Sequence, residues 1–348
     1  MSTQINTEAT QPVQLESPDE AAGQPATEAA AQAAPPPEAI LTQMFFGAML
    51  TQALYVAAKL RIADKLAGGP RAVPELAAET GTHERSLYRL LRSLAGHGVF
   101  QETGPKVFAL TPLAELLRDA PGSMRNGVLF MGEEWHYRVW SNMEYSVRTG
   151  RPAWGHTHGG AEVFDYFAAN PAQAEIFNGA MTDMSAAVAP VVVEAYDFSG
   201  TGTLADIAGG HGYLLAQILK ANPGLKGVLF DVPPVIEGAA ALLEREGVSS
   251  RVERVAGDFF AAVPRADAYV MKHIIHDWDD ERAALILKNI NRAMGEQGRV
   301  LIVETIVPEG NGPHYSKVLD LEMLTSPGGV ERTAGEYAAL LADAGLKL

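Results

Sequence analysis

The sequence has no cysteine among its 348 residues. That excludes a disulfide framework, a thiolate nucleophile and any cysteine-ligated zinc or iron–sulfur centre, and it fits a cytoplasmic setting. Basic residues are also scarce: 27 Lys and Arg stand against 42 Asp and Glu, a formal net charge of -15. This balance argues against nucleic acid or an acidic membrane surface as partner, and no basic run offsets it. Long apolar runs are missing too. Stretches such as Val188 to Ala195 are too short to span a bilayer, so no membrane embedding is expected. From Met1 to about Pro37 there is no Lys or Arg at all, and Ala, Pro, Gln, Glu and Thr predominate, with several acids. The segment lacks the basic start and apolar core of a secretory signal and the arginines of a mitochondrial presequence, and it reads as a disordered tail over residues 1–37.

What is present is an apolar share of 47%, enough to bury the core of one large or two medium domains. From Ile40 to Leu66, apolar residues at helical spacing (Leu41, Met44, Ala48, Leu54, Ala57, Ile62) predict two helices with a broad apolar face. A helix over Val73 to Glu79, a turn at Gly81, a helix over Glu84 to Ala95 and a hairpin over Val99 to Leu110, turning at Thr103-Gly104-Pro105, complete a winged-helix pattern. Such a pattern invites a DNA-binding reading, with Arg85, Arg89 and Arg92 entering the major groove. Between Ala72 and Arg118, however, Arg85, Arg89, Arg92, Lys106 and Arg118 are matched one for one by Glu75, Glu79, Glu84, Glu102 and Glu115. No net charge is left to neutralise phosphate, so a packing or dimerisation module is favoured.

From Met124 to Val193 the pattern is helical and dense in aromatics, among them Trp135, His136, Trp140, Trp154, Phe164 and Phe167. Most of these are core, and about a third are expected to face a ligand. From Gly202 the periodicity changes. Short β-branched runs at Thr203 to Ala208, Gly227 to Asp231, Arg251 to Gly257, Ala268 to Met271 and Arg299 to Val307 alternate with helices at Tyr213 to Ala221, Pro234 to Glu246 and Glu281 to Met294. This alternation predicts an α/β fold with a doubly wound parallel sheet, whose ligands bind at the carboxyl ends of the strands.

The chemistry-bearing residues fall at those ends. The first strand runs into Ala208-Gly209-Gly210-His211-Gly212, where glycines allow a tight turn and close approach to a ligand, and the amides of the following helix face it. This is not the dinucleotide fingerprint, because Ala208 replaces the first glycine and Leu215 stands where the third is expected. Asp231 closes the second strand, where a carboxylate accepts ribose hydroxyls or, more plainly, caps a helix. Asp258-Phe259 closes the third, offering an acceptor for an exocyclic amine and an apolar face for a purine. The fourth is followed by Lys272-His273-Ile274-Ile275-His276-Asp277-Trp278. A histidine here is matched in pKa to general-base work near neutrality, and Glu304 and Glu331 are candidates to hold its ring nitrogen. Alternatively one histidine is a satisfied core residue and Asp277 or Asp279 a helix cap; His211 and His273 are weaker candidates for the base. No i, i+4 histidine pair with a third ligand is present, so no metal site is expected.

The stretches ADIAGGHG, VLFDVPPVI, VAGDFF, YVMKHIIHDWDDE, VLIVETIVPE and SPGGVERT together resemble the plant-type small-molecule O-methyltransferases, such as the caffeic acid and isoflavone enzymes, and their bacterial relatives. The resemblance runs from about Ile40 to the end. It implies a Rossmann-like methyltransferase domain over 196–348, a helical substrate-pocket segment over 121–195, and an N-terminal winged-helix dimerisation domain over 38–120, all-helical but for its hairpin. It further implies S-adenosyl-L-methionine as methyl donor, a small aromatic hydroxyl acceptor and a homodimer. By resemblance Gly209 and Gly210 cradle the methionine moiety, Asp231 takes the ribose, Asp258 and Phe259 the adenine, and Lys272 the edge of the cofactor site. His276 is the base with Glu304 and Glu331 flanking it, and Met131, Met181 and Asp277 bound the acceptor.

Two departures from the family pattern stand out. Ala208 replaces a loop glycine, adding a methyl beside the cofactor. The sequence also stops at Leu348 where the family's last two strands begin, which predicts an exposed edge on the fifth strand, from truncation or for a partner to cover. The expected reaction is direct in-line transfer as His276 removes the acceptor's proton, with alignment of the reacting atoms worth up to roughly 7–11 kcal/mol. The alternatives are a family member with changed chemistry on the same cofactor, a non-catalytic winged-helix regulator, and a nicotinamide dehydrogenase. The intact His276, the neutral winged helix and the missing third glycine argue against them in turn.

Overall fold

The computed structural model describes residues 35–348. The predicted tail lies outside the described residues except for its final prolines, the last of which, Pro37, opens a helix, a position where its missing N–H costs nothing. The chain divides into two compact units between Phe45 and Phe46. Within the described residues the first unit is the opening of helix Pro37–Lys59, and the second carries everything that follows.

In the N-terminal part, helices Ile62–Lys65, Val73–Thr80 and Glu84–Ala95 surround an apolar core. Leu87, Leu91 and Leu94 recur at i, i+4 and i+7 and are buried, while Arg85, Arg89 and Arg92 lie on the opposite, exposed face. The wing contains β1 (Arg71–Ala72), β2 (Phe100–Gly104) and β3 (Val107–Leu110) in the order β1-β3-β2, all antiparallel. β1 has only two residues, too few to leave a period in the sequence. The hairpin turns one residue later than predicted, at Pro105-Lys106. Lys106 takes a left-handed φ of 57°, and its N–H donates to Glu102 Oε1 at 2.8 Å.

Six helices follow, from Arg125–Gly132 to the long Pro171–Ala195. Helices Pro37–Lys59 and Pro171–Ala195 are 23 and 25 residues long and, by length and composition alone, apolar enough to cross a membrane. The short runs seen in the sequence did not anticipate this, because scattered small polar residues interrupt them. Length and composition of this kind are shared by core helices of globular proteins.

The C-terminal part is built on β4 (Thr203–Ile207), β5 (Lys226–Asp231), β6 (Val252–Ala256), β7 (Ala268–Lys272) and β8 (Arg299–Val303). All pair in parallel in the order β6-β5-β4-β7-β8. One face packs on helices Tyr213–Ala221, Ala240–Arg245 and Pro171–Ala195, the other on Asp280–Ala293 and Ala334–Asp343. β4 and β7 are buried nearly throughout, the mark of a sheet covered on both sides. β8 ends at Val303 rather than Val307, because Glu304 leaves the ladder to accept N–H groups from the loop after β7. The helix predicted over Pro234 to Glu246 is broken into Pro233–Gly238 and Ala240–Arg245. The break adjoins Gly238, where a Cβ would sit 2.9 Å from His211 Nε2. Strand order reverses between β4 and β7, so the crevice beyond their carboxyl ends is the natural ligand site of this sheet.

Candidate active site

A cavity of about 1100 Å³ opens at that crevice. Gly209, Gly210, Asp231, Asp258, Phe259 and Lys272 line its sheet side, with His276 and Asp277, and Met131 and Met181 line its helical side. Of the aromatics singled out in the sequence, Trp154, Phe164 and Phe167 reach the cavity, while Trp135 packs behind them. Glu304 and Glu331 stand behind His276, away from the cavity surface.

The glycine loop is shaped by close approach. A Cβ on Gly209 would meet the Asp206 carboxyl carbon at 2.5 Å, and Gly210 turns with φ 60° and open space on its Cβ side. Ala208 shares the left-handed conformation, φ 55°, so its departure from glycine costs backbone energy as well as adding a methyl. Gly210 N–H donates to Asp231 Oδ2 at 2.8 Å and Val232 N–H to Oδ1 at 2.7 Å. Burial outweighs these bonds and pushes the Asp231 carboxyl up to about 6. Asp206, which the sequence reading passed over, is 2% exposed, lines the cavity, and leaves Oδ2 with no hydrogen-bond partner among the described residues. Burial pushes it up to about 7 against the pull of Lys272, and Lys272 is itself shifted down by burial. Asp258 Oδ1 accepts the Phe260 N–H at 2.8 Å. Asn289 donates to the carbonyls of Phe259 and Phe260, both at 2.9 Å, and Trp278 packs edge-on against both rings.

His276 sits on a short 3-10 turn, Ile275–Asp277, 5% exposed. Its Nδ1 is 2.5 Å from Glu331 Oε1 and 3.5 Å from Glu304 Oε2. Nε2 has Asp277 Oδ1 at 3.6 Å, beyond hydrogen-bond reach. Glu304 Oε1 accepts the N–H groups of Ile274 and Ile275 at 2.9 and 3.0 Å, anchoring the turn. Burial of the imidazole opposes its charged form, but Glu304, the Glu331 hydrogen bond and Asp277 outweigh it and push the pKa up to about 9. Asp277 is pushed up to about 7, by burial first. His273, which stacks on His276 at 5.3 Å, is pushed down to about 3 by burial and by Lys272.

Arg332 is a second residue that sequence reasoning missed. It is 1% exposed and donates to the carbonyls of Ile275 at 3.1 Å and Trp278 at 2.9 Å, and to Asp280 Oδ1 at 2.8 Å. The guanidinium thus clamps both ends of the turn bearing His276. A buried arginine leaves no mark in the sequence beyond its place beside Glu331.

A family description of an O-methyltransferase domain matches residues 140–347, and one of an O-methyltransferase dimerisation domain matches residues 42–119. The chain belongs to the O-methyltransferase family. A phenazine O-methyltransferase of Lysobacter antibioticus is 45% identical to this methyltransferase over 315 residues, 90% of this chain and 92% of the relative. The crystal structure of a calicheamicin-biosynthesis methyltransferase bound to S-adenosylhomocysteine superposes with a TM-score of 0.78 at 38% identity, covering 89% of this chain and 92% of that one. A neocarzinostatin-biosynthesis O-methyltransferase, solved with S-adenosylmethionine and 2-hydroxy-5-methyl naphthoic acid, gives 0.72 at 33% identity over 85% of this chain and 90% of that one. This enzyme is accordingly an S-adenosylmethionine-dependent O-methyltransferase. The residues fit that cofactor: Gly210 has open space on its Cβ side, and Asp206 Oδ2 is an orphaned buried acceptor suited to an ammonium group.

Proposed function

We propose that the enzyme methylates a hydroxyl of a small aromatic molecule bound in the 1100 Å³ cavity, with His276 as general base. The observation that carries this reading is the single free nitrogen of His276. Glu331 holds Nδ1 at 2.5 Å and Nε2 has no hydrogen-bond partner within reach, on a residue that lines the cavity, the arrangement in which a carboxylate fixes the tautomer and stabilises the imidazolium. When bound, S-adenosylmethionine supplies an electrophilic methyl group on a sulfonium. Gly209 and Gly210 give backbone contact to its methionine part, Asp206 an acceptor for its ammonium, Asp231 acceptors for ribose hydroxyls, Asp258 and Phe259 the adenine subsite, and Lys272 the rim. His276 Nε2 takes the acceptor's proton while Glu331 and Glu304 spread the resulting charge. Met131, Met181 and Asp277 bound the acceptor. With the base near 9 and a phenol near 10, proton transfer is uphill by about one unit, roughly 1.4 kcal/mol. An unperturbed imidazole would face about three and a half.

The proposal extends to assembly and location. Met49 and Val56 on helix Pro37–Lys59 are exposed, and a second copy covering this apolar face makes a homodimer, in keeping with the match to a dimerisation domain. The same cover accounts for the helix's membrane-like hydropathy. The acidic balance and absent cysteine favour a cytoplasmic enzyme with no nucleic-acid or membrane partner. Mass spectrometry after incubation with isotopically labelled S-adenosylmethionine and a panel of phenols tests the activity. Label in a methyl ether supports it, and label in none of the panel sinks it.

A further inference from the structure

The helical side of the cavity carries a charge that the transfer step does not use. Glu322, on helix Tyr315–Thr325 beside Met323, lines this wall with its side chain 12% exposed. Oε1 accepts from His136 Nε2 at 2.9 Å and from Ser326 Oγ at 2.8 Å, and Oε2 accepts from Trp140 Nε1 at 2.5 Å. Three donors therefore lock the carboxylate in one orientation, with acceptor capacity left on Oε2.

His136 meets that carboxylate from behind the cavity wall. His136 is 0% exposed, its Nδ1 has no hydrogen-bond partner among the described residues, and Phe130 lies 4.3 Å from the ring. Nε2 is directed at Glu322, and Nδ1 meets no partner on its other side. Burial alone raises the Glu322 carboxyl, but His136, Ser326 and Trp140 together hold it below its ordinary value. No cation answers it from the cavity. Among the described residues lining the space there is no arginine, and the one lysine, Lys272, stands on the sheet side at the end of β7; Glu175 and Asp183 add further acids from helix Pro171–Ala195.

We propose that Glu322 selects the methyl acceptor by charge. The cavity takes aromatic hydroxy compounds that are neutral or cationic and carry a second hydrogen-bond donor, such as an amine or ring N–H, remote from the reacting hydroxyl. It rejects those carrying a carboxylate. A donor meets a preoriented acceptor in a water-poor wall, where a charge-assisted bond is strong. A carboxylate would be desolvated beside a fixed negative charge with no cation to pair with. This inference rests on the cavity being the acceptor site of a methyltransferase.

The test uses three naphthols with an amino group, hydrogen or carboxylate at the same ring position. Binding is measured calorimetrically to the full chain saturated with S-adenosylhomocysteine, and kcat and KM are measured with S-adenosylmethionine. The expected order of affinity is amino, then unsubstituted, then carboxylate, with the last at least tenfold weaker than the second. Glu322→Gln should compress the amino-to-carboxylate ratio at least tenfold, in Kd and KM rather than kcat, with S-adenosylhomocysteine affinity unchanged. A carboxylated naphthol binding as tightly as the unsubstituted one, or a ratio unmoved by Glu322→Gln, overturns the proposal. If the variant does not fold, the wild-type ranking decides alone. If no naphthol binds or is methylated, the aromatic-acceptor reading fails and this inference with it, whereas methylation of all three without preference overturns the charge selection alone.

Discussion

A Cβ on Gly329 would lie 1.9 Å from the carbonyl oxygen of His276, and that same oxygen accepts the Val330 N–H at 2.9 Å. The strand of chain that delivers Glu331 is thus stitched to the turn that bears His276, and only a bare Cα permits the approach. Gly329→Ala must separate the two segments by more than an ångström and lengthen the His276–Glu331 bond. The expected outcome is a fall in kcat/KM on the order of 10²-fold, with S-adenosylhomocysteine affinity retained. Kinetics and calorimetry on the same preparation check it, and unchanged kinetics would mean that the stitch does not set the base.

Removing the proposed base should separate chemistry from cofactor binding. His276→Ala is expected to lower turnover by about 10²- to 10⁴-fold while S-adenosylhomocysteine still binds. Asp231→Ala should weaken that binding and leave the base intact. Near wild-type turnover in His276→Ala on a verified acceptor would transfer the role elsewhere.

Much of this site was legible in the sequence because its residues occupy strand ends, and strand ends can be read from a period. Asp231, Asp258 and Lys272 follow β-branched runs, and the structure brings them to one cavity. Glu304, on the fifth strand run, and Glu331, after Pro327-Gly328-Gly329, were candidates from the sequence, and the resemblance to the family's motifs gave them the same place. Their placement behind the imidazole depends on a fold-back of the chain after β8 that periodicity does not encode. Arg332, Asp206 and Glu322 were missed for a common reason: their importance lies in being buried, and nothing in the spacing of a charged residue says whether water reaches it. Likewise Ala208 was noted for its methyl, whereas its left-handed φ emerges only from the loop's geometry.

Ala208 offers a stability test of that geometry. Relief of a left-handed φ is worth about 1–2 kcal/mol, and the added freedom of the unfolded chain takes back about 0.4–1. Ala208→Gly should therefore raise the melting temperature by about 2 °C without weakening cofactor binding. A lower melting temperature in thermal unfolding would show that the surrounding loop relaxes the strain.

The proposed dimer face can be probed at Met49, which is 65% exposed on its helix. Met49→Glu places a charge that a second copy would have to desolvate. Light scattering at micromolar concentration should show a dimer for the wild type and a shift toward monomer for the variant. A wild-type monomer would remove the interface.

The pH dependence of the reaction takes its sign from the carboxylates around His276. His276 has its pKa raised to about 9, so the proton-accepting form is the minor one at neutral pH and grows as pH rises. The kcat/KM profile should therefore climb with pH toward a limb near 9, an apparent value belonging to the cluster of His276, Glu304, Glu331 and Asp277 rather than to one ring. Glu331→Gln removes a hydrogen-bonded negative charge 2.5 Å from Nδ1. The imidazolium is then less stabilised, so the limb must move to lower pH. The plateau must fall too, because a weaker base takes the phenolic proton less readily. Glu304→Gln should move the limb in the same direction, but with a loss of order in the turn, since Glu304 Oε1 also holds the N–H groups of Ile274 and Ile275. A limb that stayed put in Glu331→Gln while the plateau fell would mean that Glu331 orients the ring without setting its basicity. A limb moving upward would contradict the assignment of His276 as the group being titrated.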